Sequence, residues 1–165
     1  MTVARRLGRG VLVLLLLSTA RPAWAQLHTV SVSVPAGVSF SVADVGASTA
    51  GSPSSTQITW STAVGFTTSE KLRVSVQPDS TTFSGPGTTR IAASKVSWTA
   101  SASSGNPSSG TLAAGAYTVV YVSPNKLKVT SSGTITLNWS LAAIAAAGLR
   151  SGTHTLTVRW KFEAF

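Results

Sequence analysis

From Val30 onward the chain alternates apolar side chains with hydroxyl, amide or charged ones at a period of two. One such row is Val30, Val32 and Val34. It is followed by Val38, Phe40 and Val42, by Ile58 and Trp60, and by Leu72, Val74 and Val76. Further rows are Val96, Trp98 and Ala100; Tyr117, Val119 and Tyr121; and Ile135, Leu137, Trp139 and Leu141. The last is Leu156, Val158, Trp160, Phe162 and Ala164. Successive side chains of a strand point to opposite faces, so each row predicts a strand with one buried and one wetted face, as in antiparallel sheets. Short strands in this number, about seven to nine, predict an all-β fold in which two antiparallel sheets pack as a sandwich. Trp60, Trp98, Trp139 and Trp160 all keep the apolar phase and are expected to form much of the core.

Turn-forming residues separate the rows, and loops are expected at Gly46 to Thr56, Pro78 to Thr89, Ser101 to Gly110 and Ser131 to Gly133. The tracts after Val42 and after Trp60 are long enough to cross from one sheet to the other. The connection from Ala142 to Gly152 differs in kind. It reads Ala-Ala-Ile-Ala-Ala-Ala-Gly, high in helix propensity with Gly148 placed to stop it, and predicts a short helical turn before the last strand. No internal repeat and no linker divides the chain, so residues 26–165 are expected to form a single β-sandwich domain.

Residues 1–25 have another character. Arg5, Arg6 and Arg9 precede the apolar run Val11 to Leu17, and Ala23-Trp24-Ala25 follows as a small-x-small cleavage site. This is the pattern of a signal peptide cut between Ala25 and Gln26. A membrane anchor is the alternative, but the run is far shorter than the roughly 20 apolar residues a spanning helix needs, so no membrane span is expected after cleavage. The expected location is secreted, periplasmic or at the cell surface.

Composition narrows the chemistry. Of 165 residues only 10% are charged, 13 being Lys or Arg and 4 Asp or Glu, and there is no Cys. Thiolate chemistry, zinc ribbons and disulfide scaffolds are thereby removed. Once the leader is set aside, the remaining cations are scattered from Lys71 to Lys161 and match no nucleic-acid-reading motif, so no nucleic-acid partner is expected. Their net positive field does suit acidic envelope polymers. His28 and His154 stand alone, and His154, at the opening of the last strand, is expected at the surface. Asp44, Glu70, Asp79 and Glu163 fall on four separate segments. Glu163 shares a polar strand face with Lys161 and Arg159, where ion pairing is the ordinary role, and Asp79 follows Pro78 in a turn where its carboxylate suits a bond to the backbone two residues on. No G-x-S-x-G elbow accompanies the many serines. The expectation is a protein that is not an enzyme, with no catalytic or metal-binding residues and no cofactor.

Three smaller points follow. Asn138-Trp139-Ser140 matches a glycosylation sequon but lies within a strong strand. Exposed aromatics would suit a carbohydrate platform, whereas each Trp holds the buried phase. Counting back by twos from Phe165 meets Glu163, Lys161 and Arg159, three charges that would face lipid in an outer-membrane barrel strand, so the final segment is expected to close a soluble sandwich.

The segment Arg150-Ser-Gly-Thr-His-Thr-Leu-Thr-Val-Arg-Trp-Lys-Phe162 resembles the closing strand of bacterial secreted immunoglobulin-like subunits, the fimbrial and spore coat U types, with His154 where Tyr is usual. That resemblance implies an immunoglobulin-like sandwich, export, and a polymerising or coat role. Trp139-Ser140-Leu141, with the variant Trp160-Lys161-Phe162, resembles the WxL cell-wall domains, which implies attachment to envelope glycan. Together these give the expected function: an exported, non-enzymatic structural or adhesive component of the bacterial cell envelope, such as a fimbrial or coat subunit. The alternatives are a module that binds envelope glycans or other polymers, and a small secreted hydrolase.

The segment Leu27 to Val34 bears on assembly. It carries Val30, Val32 and Val34 on one face, Ser and Thr on the other and no formal charge, and Pro35-Ala-Gly37 interrupts it. Such a strand suits a sheet edge in its own domain. If instead it adds to a neighbouring copy or to a related envelope subunit, Val30, Val32 and Val34 form a strand-donor interface.

Overall fold

The computed structural model describes residues 30–33, 38–62, 70–124, 131–144 and 149–165. The cleavage site at Ala25 and Gln26, together with Val34, lies outside them. So do residues 145–148 of the expected helical turn, whose described flanks, Ala142 to Ile144 and Leu149 to Ser151, are not helical.

Eleven strands form among the described residues: β1 (Val30–Ser33), β2 (Val38–Val42), β3 (Thr49–Thr62), β4 (Leu72–Pro78), β5 (Val96–Ala102), β6 (Asn106–Pro107), β7 (Gly110–Thr111), β8 (Thr118–Val122), β9 (Ser132–Leu141), β10 (Gly152–Leu156) and β11 (Val158–Ala164). The larger sheet has the order β10-β2-β3-β9-β5-β7, with β1 also paired to β3, and the smaller has the order β11-β4-β8-β6. All pairs are antiparallel. The fold is an all-β sandwich, as the alternation predicts. The count exceeds nine because two strands have only two residues each and because the final row is divided.

That division is one of several departures from the expected layout. Leu156 pairs with Val38 in the larger sheet, whereas Val158 pairs with Pro78 in the smaller. The chain changes sheet at Thr157, yet Leu156, Val158, Trp160 and Phe162 all pack on the same core. Alternation records which way a side chain points but not which sheet its backbone joins. The expected loop at Gly46 to Thr56 is mostly strand, since β3 begins at Thr49. Its Ser, Thr and Gly residues are held by the ladders to β2 and β9, and the register shifts between Ala50 and Ser55, where Pro53 has no N–H to donate. Consequently the connection from β2 to β3 stays within one sheet instead of crossing. At Ser131 to Gly133 the strand begins at Ser132. Gly133 opposes Trp60, and a Cβ there would come within 2.8 Å of the indole.

The row Tyr117, Val119 and Tyr121 is broken as well. Val74 pairs with Tyr121 but Ser75 pairs with Val119, so Val120 is an extra residue that reverses the phase of the strand. Val120 and Tyr121 are buried, while Tyr117 is thrown to the outer face.

Inward-facing aromatics close the core. Trp60, Trp98 and Trp139 are buried and Trp160 is half-buried against them. Buried indoles need acceptors for their N–H groups. The Trp98 N–H donates to the Ser108 carbonyl and the Trp139 N–H to the Thr56 hydroxyl, each at 2.8 Å. The Trp60 N–H and the Tyr121 hydroxyl, whose rings lie 6.2 Å apart, are buried without a hydrogen-bond partner.

Candidate interaction surfaces

The few titratable groups do not converge. His154 is 1% exposed, not at the surface as its place at the start of a strand suggested. It shares the inward phase of Leu156, stands opposite the buried Phe40, and lies under the loop between β4 and β5, where a Cβ on Gly85 would collide with Nδ1. Its Nε2 is 3.0 Å from the Arg150 carbonyl, which only accepts, so Nε2 carries the proton and donates. Asp44 accepts the Gly46 N–H at 2.8 Å, the local backbone bond that was expected of Asp79. Asp79 instead pairs with Arg159, because β4 and β11 bring the two side by side, and Glu163 pairs with Lys161 at 2.6 Å. Burial pushes the Tyr121 hydroxyl above its ordinary value, an effect tempered by the neighbouring Ser104 and Trp60 side chains. Among the described residues no three His, Asp or Glu side chains gather where a metal could bind.

Sheet edges are the next place to look, because an unpaired edge presents free backbone donors and acceptors. The outer edge of β10 is covered: Ser84 and Thr155 exchange two backbone hydrogen bonds, of 3.0 and 2.8 Å, and Gly87 bridges to Leu149. β11 carries Arg159, Lys161 and Glu163 along its edge, and β6 and β7 are two residues each. β1 is different. It pairs with β3 of its own chain, Val30 opposite Thr62 and Val32 opposite Trp60, and no described strand lies on its other side. It contains no charge. Val32 packs on the core while Ser31 and Ser33 are exposed.

The two outer faces have opposite chemistry. None of the seven strands of the larger sheet contains a Lys, Arg, Asp or Glu. Its outer face is a field of hydroxyls, in which Ser31, Ser33, Thr59, Ser61, Ser132 and Thr134 line a shallow groove of about 390 Å³. All the charge borne by strands is on the smaller sheet: Arg73 on β4, and Arg159, Lys161 and Glu163 on β11. The same face carries the large apolar side chains that are exposed among the described residues, Tyr117 at 41% and Phe165 at 47%. Each has a cation against its ring. Arg73 Cζ lies 3.9 Å from the centroid of Phe165, and Lys161 Nζ lies 5.6 Å from that of Tyr117.

Of this surface, the phase of Phe165 was legible in its spacing of two from Glu163 and Lys161. Tyr117 was hidden by the bulge at Val120. Among the described residues no helix is long and apolar enough to cross a membrane. Comparison of the chain with family models, curated proteins and solved structures finds no match.

Proposed function

We propose that the protein is an exported, non-enzymatic structural or adhesive component of a bacterial cell envelope that associates with further copies by strand addition. The observation that supports this reading is the edge of β1, which is uncharged and uncovered by any described strand, while the other long edges carry charge or are bridged by a loop. An extended strand of a second copy laid along β1 gains backbone hydrogen bonds, and the alternation of Ser31, Val32 and Ser33 supplies register.

Light scattering and electron microscopy of protein beginning at Gln26, over a range of concentrations, test the proposal. Regular multimers are expected. Replacing Ser31 and Ser33 by Lys places two charges on the exposed side of the strand, where they repel a partner without touching the core, and is expected to leave folded monomers. A wild-type protein that stays monomeric at high concentration, or multimers that survive both lysines, overturns it.

A second reading, a module that binds envelope glycans or other polymers, is favoured by the joint exposure of aromatic and cationic side chains on the smaller sheet.

A further inference from the structure

The antiparallel register between β4 and β11 assembles the outer face of the smaller sheet from side chains distant in sequence. Glu163 stands opposite Arg73 and Lys161 opposite Ser75. The ladder runs on to Phe165, whose N–H and carbonyl bond the carbonyl and N–H of Lys71 at 3.0 and 2.8 Å. On the other side of β4, Ser75 faces Val119, and Tyr117 lies two residues before it. Ser75 is only 2% exposed although it lies on the outer phase of β4, between Lys161 and Val119. The result is a continuous surface with an aromatic ring at each end, Tyr117 and Phe165, and with Lys161 and Arg73 between them.

We propose that this face binds an acidic polysaccharide, a chain of sugar rings bearing carboxylates. The proposal rests on the second reading above and is independent of strand addition at β1. Three features point to that ligand class. Exposed aromatic rings offer flat apolar platforms for the C–H faces of sugars. A guanidinium lying over a ring is held in place, and its planar fork of N–H donors matches a carboxylate in two bonds. Finally, the charge borne by the described strands is confined to this sheet. A purely electrostatic attraction needs no aromatic ring, and a neutral glycan needs no cation, whereas Tyr117–Lys161 and Phe165–Arg73 pair the two at both ends of one face. Glu163 pairs with Lys161 and Asp79 with Arg159, so those two cations are partly neutralised within the face, and Arg73, held against Phe165, is the cation that meets the ligand carboxylate.

Binding of the full mature chain to polygalacturonate, to neutral dextran and to poly-glutamate, followed by calorimetry at low and at physiological salt, tests the assignment. Polygalacturonate is expected to bind, more weakly as salt rises, with dextran and poly-glutamate at least tenfold weaker. Tyr117→Ala, Phe165→Ala and Arg73→Gln are each expected to weaken binding by roughly three- to tenfold. Thr136→Ala on the opposite sheet should leave it unchanged. Thermal unfolding of each variant close to that of the parent shows that the face, not the fold, has been altered. If polygalacturonate binds but the three face variants bind as the parent does, the site is overturned and polymer binding stands. Equal affinity for poly-glutamate overturns the role of the rings. No binding to any of the three polymers overturns both the site and the second reading.

Discussion

The indoles of Trp139 on β9 and Trp160 on β11 meet edge to face across the two sheets, with centroids 6.4 Å apart and planes inclined by 70°. Trp98, on β5, extends the stack at 5.7 Å from Trp139. Trp139 therefore touches both layers, and its N–H holds Thr56 on β3. Trp139→Ala is expected to cost about 3–5 kcal/mol, the range for a large aromatic removed from a core. Trp160→Ala should cost clearly less, because that ring is only half-buried. Urea unfolding of the two variants checks the order. Equal losses would show that the inter-sheet stack is not centred on Trp139.

Tyr121 should make the fold sensitive to alkali. Its hydroxyl is buried with no hydrogen bond of ordinary length, and burial, tempered by the nearby Ser104 and Trp60, raises its pKa above the ordinary 10.0. The unfolded chain loses this proton first, so stability is unaffected below the unfolded value and falls as pH rises past about 10. Tyr121→Phe keeps the ring, removes an unsatisfied polar atom, and is expected to leave stability at pH 7 unchanged or raised. It should also flatten the alkaline decline. A variant that is markedly less stable at neutral pH would mean that the hydroxyl makes a hydrogen bond that holds the core together.

His154 and Gly85 should be coupled. His154→Ala removes the donor to the Arg150 carbonyl and leaves a void under the loop, an expected loss of about 1–3 kcal/mol. Gly85→Ala drives a methyl group into the imidazole and should destabilise the fold by itself. In the double variant the methyl group has room, so the combined loss is expected to be smaller than the sum. Denaturant unfolding of the two single variants and the double variant measures the coupling, and strict additivity would refute the contact.

Export with cleavage between Ala25 and Gln26 is expected from the leader pattern alone. Mass spectrometry of secreted protein should find Gln26 as the first residue. An N-terminus that retains Arg5, Arg6 and Arg9 would end that expectation.

The alternation of apolar and polar residues was enough to establish the fold class and the greater part of the core. The alternation at Leu72, Val74 and Val76, and at Ile135, Leu137, Trp139 and Leu141, names side chains that are all buried, because a pleated strand leaves each residue only two directions to face. The sequence also establishes that charge is scarce and that His28 and His154 have no partner nearby in sequence. The remaining features depend on pairing between distant segments and emerge only once the sheets have formed. One unpaired residue, Val120, reversed the phase of its strand and put Tyr117 outside. Thr157 carried an unbroken apolar row from one sheet to the other, and the loop that covers β10 buried a histidine which, from its position alone, belonged at the surface. The clustering of Arg73, Lys161, Tyr117 and Phe165 has the same origin. Alternation is a local property of the backbone, but which strand lies beside which is set by the register of ladders closed over tens of residues.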